Sequence, residues 1–484
     1  GKEVQATLNN TLLKLINEVE EYGTIKIAMY AFGYRPVQDA LIKAAKERKI
    51  KVKLVLDAIA KWTEEIRSEF KRRILEEHKL AKKEGRKFDF QLKEIYPQSM
   101  VDRGRVKEIR DGKIYGTMHE KFGICFPKGC KIPLNGFCGS ANISWSAGQV
   151  FAENRVIFKN EPSMGRQLAE EFARLWNEFG TPVTDNCESE IFIPAYTQLG
   201  DVEIVSNSKP INEEKLQRLD GKLMDLMEQV NYRNGTLDVA IFSFTHVGLA
   251  NKLLDLARYR PNIKVRILMD QTQLQSDKGH QGVLGPYMEQ VAKFKDLKNF
   301  EIRYKWRSNT YAWDEETNSC QLIHWRNLLL HHKCLVVNRN LMGLGSYNWS
   351  SSAEFRNFEN VMFFNGDIPE HQKAIDGFMK EYDLIWNSLK ADKPITQKIT
   401  SPQVVKGPQG RKLKKLIIKT YNDPDCRNIM NVVDANVAGC SKETLVKITG
   451  LDEKTLGKKL EKLIKATLIF KEKQKDDFVY KLAD

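Results

Sequence analysis

Two histidine–lysine pairs are the residues of this chain best placed to do chemistry. The first lies in Met118-His119-Glu120-Lys121, followed by Gly139-Ser140-Ala141-Asn142 and then Glu153-Asn154. The second lies in His331-His332-Lys333, followed by Gly345-Ser346-Tyr347-Asn348 and then Glu359-Asn360. Histidine can serve as nucleophile, acid or base near neutral pH, and lysine brings a compact positive charge. Cleaving a phosphodiester needs a nucleophile, a proton for the leaving oxygen, and cations around the phosphoryl oxygens. Two His/Lys pairs facing one phosphate would supply all three. Residues two apart in a strand point to the same side, so His119 shares a face with Lys121, and His331 with Lys333. His332 then turns away and is structural.

The spacing argues for an internal duplication. Ser140 to Glu153 and Ser346 to Glu359 are both 13 residues, while His119 to Ser140 is 21 against 15 from His331 to Ser346. The extra residues fit in one turn, at 127–133. The surrounding elements repeat as well. Residues 9–22 have helical apolar spacing closed by Gly23, 25–32 read as a buried strand, 36–48 as a helix, and 51–56 as a strand ending at Asp57. Strand, helix, strand makes a parallel crossover unit. It returns at 237–244 and 264–270, at offsets of 212 and 213, and His331 follows His119 by 212. The duplication therefore spans whole domains, about 4–180 and 200–390. Each copy ends in a helix carrying a core tryptophan, Trp176 and Trp386.

This doubled set resembles the phospholipase D superfamily, whose signature is His-x-Lys followed by Gly-Ser-x-Asn and a later Glu. Four elements recurring twice in order make the resemblance specific. One departure is that the family's Asp, five residues after the Lys, is replaced here by Phe126 and Asn338. Some branches, the tyrosyl-DNA phosphodiesterases among them, also lack it, so the change bears on subfamily more than on catalysis. The resemblance implies an α/β fold: two duplicated phospholipase D-like α/β sandwich domains, 1–190 and 191–398, related by a pseudo-twofold. It implies His119 as nucleophile, forming a phosphohistidine, and His331 as the acid that protonates the leaving group and then activates water. Lys121 and Lys333 would hold the phosphoryl oxygens, with Asn142 and Asn348 donating hydrogen bonds and Ser140 and Ser346 supporting that shell. Glu153 and Glu359 would accept a proton from the far ring nitrogen of a histidine. No cofactor and no metal is implied, since the lysines take the electrostatic role, and a monomer suffices for catalysis. His78, His246, His280, His324 and His371 have no such support.

At 484 residues, 42% hydrophobic and 10% aromatic, the chain has material for two or three domains. A net charge of +14 and a pI near 9.1 favour a polyanionic partner, either nucleic acid or an anionic membrane surface. No apolar run of about 18 residues appears, so no segment reads as a membrane-spanning helix. Eight cysteines do not suggest a disulfide scaffold, although Cys125, Cys130 and Cys138 cluster closely enough to leave a bridge open. Without a Cys-x-x-Cys pair, zinc is the weaker reading. The chain starts at Gly1 with strand-like residues close behind, which fits a trimmed chain or a removed leader. Secretion or periplasmic export is favoured over a cytoplasmic location.

Two insertions differ between the copies. Residues 64–87 are highly charged and read as a solvated helix face or, more sharply, a basic wall beside the substrate groove. Residues 271–326 bring Tyr304, Trp306, Tyr311, Trp313 and Trp325, which fit ordinary packing or stacking on unpaired bases. The last stretch changes character. Residues 401–484 carry 18 Lys and Arg against 11 Asp and Glu. A linker-like stretch at 402–410 leads to helical patterns at 412–420 and 427–433. A short helix ending at Gly450, a longer helix capped by Asp452, and two strands around Lys475-Asp476 follow. This pattern resembles a winged helix-turn-helix domain, placed at 399–484, a module common in DNA binding. Together these features favour a metal-independent nuclease acting on DNA, single-stranded DNA included, or on RNA. The alternatives are a phospholipase D or cardiolipin synthase-like enzyme acting on phospholipid, and a non-catalytic DNA-binding protein.

Overall fold

The computed structural model describes residues 8–60, 64–102, 109–110, 113–114, 116–149, 151–209, 218–270, 284–305, 310–314, 319–323, 329–390, 404–406, 416, 419–420, 423–435, 440–466, 468–474 and 477–482. Both copies lie in one compact unit, comprising Gly1–Leu274, Gln281–Lys305 and Leu330–Lys390.

Each copy is built on a seven-stranded sheet. In the first, Thr24–Met29, Lys51–Asp57 and Phe90–Ile95 run parallel. Lys121–Phe126 pairs antiparallel with Thr24–Met29, and Asn135–Gly139 and Arg155–Phe158 continue outward from it. The second sheet repeats this order with Thr236–Ile241, Lys264–Asp270 and Phe300–Lys305, then Lys333–Val337, Leu341–Gly345 and Asn360–Asn365. Only the seventh strand differs. Gly180–Pro182 joins the first sheet beside Phe90–Ile95, whereas Glu203–Ser206 joins the second beside Asn360–Asn365. Short β-rich runs feed amphipathic crossover helices, as expected. Helix Arg35–Glu47 starts with Pro36 in its first turn and buries Val37, Leu41, Ile42, Ala44 and Ala45 against the sheet. Helix Val247–Tyr259 is its counterpart.

The face of each sheet under the terminal tryptophan carries charge. Lys26 and Lys53 stand opposite each other on adjacent strands, and Lys93 lies on the next strand, two residues beyond the partner of Lys53. Glu190, from the segment joining the copies, bonds Lys26 and reaches Lys53 at 2.6 Å, and the Trp176 ring lies 4.8 Å from Lys93 Nζ. In the second copy the same positions are Asp238, Arg266 and Arg303, packed on Trp386. Trp176 and Trp386 are both buried.

Several open readings find their answer. The charged helix is Glu64–Lys83, and its basic cluster is largely neutralised: Lys71 pairs with Glu94, Arg72 with Glu76 and Arg73 with Asp39. That agrees with a solvated, ion-paired face. Tyr304 packs against the second core, while the side chains of Trp306, Tyr311, Trp313 and Trp325 lie outside the described residues, as do residues 1–7. Cys125, Cys130 and Cys138 are free thiols, so the bridge left open among them does not form. Among the described residues no helix is long and apolar enough to cross a membrane.

The second unit contains Gln275–His280, Trp306–Leu329 and Ala391–Asp484. Helices Pro424–Ala435, Lys442–Thr449 and Glu453–Lys465 accompany a small sheet in the order Cys440–Ser441, Asp477–Leu482, Ile469–Gln474. Gly450 ends the middle helix with φ +69°, which its missing Cβ permits, and Asp452 caps the next helix by accepting from Thr455 N at 2.9 Å. Most of the expected helix at 412–420 lies outside the described residues.

Candidate active site

Each histidine sits on the chain just before a central strand, where the backbone leaves the sheet. His119 and Lys121 open the strand Lys121–Phe126, and His331 and Lys333 open Lys333–Val337. A buried aspartate fixes each approach. Asp57 Oδ2 accepts from Met118 N and Asp270 Oδ2 from Leu330 N, both at 2.8 Å. Both aspartates end the second parallel strand of their sheet, at equivalent positions.

The two copies exchange their acids. Met118 forms a parallel bridge with Phe358, and Ala152 forms one with Leu330. Backbone bonds of 2.9 Å from His119 N to Phe358 O and from His331 N to Ala152 O lock these crossings. Glu359 is thereby carried to the histidine of the first copy, and Glu153 to that of the second. His119 Nδ1 lies 2.9 Å from Glu359 Oε2, and His331 Nδ1 lies 2.6 Å from Glu153 Oε1. Ser140 Oγ donates to Glu153 at 2.5 Å and Ser346 Oγ to Glu359 at 2.6 Å. The serines also accept from Asn154 N and Asn360 N. Glycine precedes each serine because the chains cross closely: a Cβ on Gly139 would stand 2.6 Å from Asn154 O, and one on Gly345 would strike Asn360 O.

The structure therefore brings eight of the ten expected residues, the two histidines, two lysines, two glutamates and two serines, into two matching half-sites. Lys121 Nζ donates to the His119 carbonyl, and Lys333 Nζ to the His331 carbonyl at 2.7 Å. Asn142 Oδ1 accepts from Ala31 N at 3.2 Å, whereas Asn348 Oδ1 is buried with no hydrogen-bond partner among the described residues. His332 turns away, as its place between His331 and Lys333 requires. It is 1% exposed and meets Asn154 Nδ2 across the copies at 3.0 Å. The equivalent first-copy residue is Glu120, fully buried between Glu171 and Asn360. His78 and His246 are accounted for by bonds to Phe90 O and to Asp220.

Burial and mutual repulsion set the charge of this centre. Burial lowers the histidines: His331 falls to about 4, with Glu153 opposing the shift, and His119 falls in the same direction against Glu359. Burial takes Lys121 down to about 8 and Lys333 to about 7, again opposed by the glutamates. Burial pushes Glu153 and Glu359 up, but His331 and His119 respectively, with the lysines, bring both below the ordinary range. The consistent state is two carboxylates, each accepting from an Nδ1–H of a neutral imidazole. That tautomer leaves each Nε2 lone pair free. An arriving anion would raise all four bases together.

Sequence reasoning missed Asp57 and Asp270, although their equal places in the repeat were a usable signal. It also missed Tyr30 and Phe242, which flank the histidines with ring centroids 4.8 Å from His119 and 4.7 Å from His331.

Two matching half-sites made by exchange between duplicated α/β domains define a class, and comparison with known proteins agrees. A family model described as cardiolipin synthase, PLD-like domain, matches residues 12–176 and again 226–386. These spans exceed half of the chain, which belongs to the phospholipase D superfamily. The mitochondrial cardiolipin hydrolase of Chlamydomonas reinhardtii is 24% identical over 155 residues, 32% of this chain. The chain spans about half the length (53%) of that curated relative. Phosphatidylserine synthase from Haemophilus influenzae superposes with a TM-score of 0.51 at 12% identity, over 84% of this chain and 90% of that one, a likeness of fold. A phospholipase D family member, Nuc, from Salmonella typhimurium matches 39% of this chain and 94% of its own at 16% identity, with a TM-score of 0.25.

Proposed function

We propose that the protein is a phosphodiesterase that works through a phosphohistidine and needs no metal. The observation that carries this reading is the reciprocal pairing of His119 with Glu359 and His331 with Glu153. His119 Nε2 attacks phosphorus, and the P–N bond forms as the ester P–O bond breaks. His331, protonated once the phosphate anion has entered, gives its Nε2 proton to the leaving oxygen. His331 then takes a proton from water, whose oxygen attacks phosphorus and releases His119. Lys121, Lys333, Asn142 and Asn348 stabilise the phosphoryl oxygens.

Nucleic acid, with DNA favoured, is the proposed substrate. The net charge of +14, half of it in residues 401–484, supports this, as does reading the C-terminal helices and hairpin as a winged-helix module. A second reading, phospholipid hydrolysis, is supported by the similarity to a cardiolipin hydrolase.

Cleavage of labelled single- and double-stranded DNA in excess EDTA, with wild type and His119→Ala, tests the proposal. Cutting that persists in EDTA and vanishes in the variant is expected. No cutting of DNA or RNA, with release of product from cardiolipin vesicles, would move the assignment to lipid. DNA binding without hydrolysis of any phosphodiester would leave a binding protein. Removing residues 401–484 should preserve cleavage of short substrates and weaken binding of long ones.

A further inference from the structure

The two half-sites are related by duplication, yet a natural phosphodiester has two different ester groups. A symmetric site could not choose between them, so whatever breaks the symmetry in front of the histidines bears on specificity. Tyr30 and Phe242 hold equivalent places. Tyr30 follows strand Thr24–Met29 and its N donates to Glu120 O at 3.2 Å; Phe242 follows Thr236–Ile241 and its N donates to His332 O at 3.0 Å. Their rings lie within 0.1 Å of the same distance from the histidine, at 4.8 and 4.7 Å, and the lysine ammonium stands 5.2 Å from Tyr30 and 5.6 Å from Phe242.

The difference is one hydroxyl. Tyr30 is half-buried, and its hydroxyl makes no hydrogen bond to any described residue. On the other side Phe151 adds a second ring, 5.9 Å from His331. The flank of His119 is thus polar and that of His331 apolar. A solvated tyrosine would need no explanation elsewhere on the surface. Here the ring that carries the hydroxyl packs against His119 and Lys121, the proposed nucleophile and phosphate-binding lysine.

We infer that Tyr30 is a specificity-determining residue. Its hydroxyl donates to an oxygen of the bound phosphodiester on the side that stays attached to phosphorus, while Phe242 and Phe151 flank the leaving group at His331. Burial, then Asp57 and Glu359, raise its phenol to about 12, so it remains a donor across the working range. A hydrogen bond from a neutral donor to a phosphoryl oxygen implies a loss of roughly tenfold or more on its removal. The inference rests on the phosphodiesterase reading above.

The test uses the full chain and an unsymmetrical diester, thymidine 5′-(p-nitrophenyl phosphate), in excess EDTA, reading kcat/KM together with the ratio of p-nitrophenol to p-nitrophenyl phosphate released, a ratio that loss of the Tyr30 hydroxyl should shift. It compares wild type, His119→Ala, Tyr30→Phe, and Tyr30→Phe combined with Phe242→Tyr, with thermal melting as a control for folding. Tyr30→Phe is expected to lose about tenfold in kcat/KM with its melting temperature kept, and the double variant to remain as slow. Wild-type kcat/KM in Tyr30→Phe, or recovery when the hydroxyl is moved to position 242, would overturn the assignment while loss in His119→Ala leaves the phosphodiesterase reading intact. Inactivity of wild type on this probe and on DNA, RNA and cardiolipin would overturn both.

Discussion

His119 and Glu359 are 240 residues apart in the chain and 2.9 Å apart in the fold, and Glu153 makes the mirror-image bond to His331 at 2.6 Å. Each histidine is therefore oriented by the other copy's acid, and neither copy holds a complete half-site. Under the proposed mechanism the two acids then support different roles, Glu359 the attack by His119 and Glu153 the proton transfers of His331. Glu359→Gln should slow phosphorylation of His119, whereas Glu153→Gln should slow both steps through His331, and most of all the release of the phosphoryl group, where no activated leaving group assists. Acid-quenched reactions with labelled substrate would then trap more phosphoenzyme in Glu153→Gln and less in Glu359→Gln, each variant losing ~10² in turnover. Equal trapping in both variants would contradict the assignment of roles.

The lysines make binding sensitive to pH just above neutrality. Burial brings Lys333 to about 7 and Lys121 to about 8. Affinity for orthovanadate or inorganic phosphate should fall as pH rises from 7 to 9, as the cations lose their protons. Stability moves the other way. An ordinary unfolded lysine titrates near 10.4, so between about 7 and 10.4 the unfolded chain binds more protons than the folded one. Lys333 therefore contributes a rise in stability across that window. Chemical denaturation of Lys333→Met should show a flatter dependence there, and an unchanged slope would argue against the depressed lysine.

Asp57 and Asp270 hold the residue before each histidine through its backbone N–H. Replacing either by Ala leaves a buried amide unpaired, a cost of about 1–3 kcal/mol. It also loosens the histidine, and a misplacement of ~1 Å can cost ~10² in rate. Asp57→Ala should therefore lower kcat more than it raises KM. A change confined to melting temperature would make Asp57 a folding residue only.

Glu120 is fully buried beside Glu171 and Asn360. Burial and then Glu171 raise it far above the usual carboxylate range. It is therefore protonated in the fold and ionised in the unfolded chain at neutral pH, which lowers stability as pH rises above about 4.3. Glu120→Gln should stabilise the protein at pH 8 and change its stability little at pH 4. The same gain at both values would show that no proton is at issue.

Much of the site was legible in the sequence because its chemistry is local and doubled. Both His-x-Lys pairs, the Gly-Ser-x-Asn turns and the later glutamates follow from residue type and spacing, and the duplication from offsets of 212 and 213. Period two put each histidine on the same face as its lysine, and the parallel crossover unit marked the repeated domain, while the central place of the motif strands came from the fold. Strand ends were less legible: the first strand stops at Met29 rather than Phe32, since Tyr30 leaves the sheet to stand beside His119. The fate of Cys125, Cys130 and Cys138 was equally open, because thiols close in sequence need a specific geometry to bridge, and Cys138 instead donates to Asn360 Oδ1 at 3.4 Å. Only the tertiary structure decided which glutamate serves which histidine. Sequence spacing records the order along one copy, whereas that pairing arises where Phe358 and Ala152 cross the other copy, a contact with no trace in local periodicity.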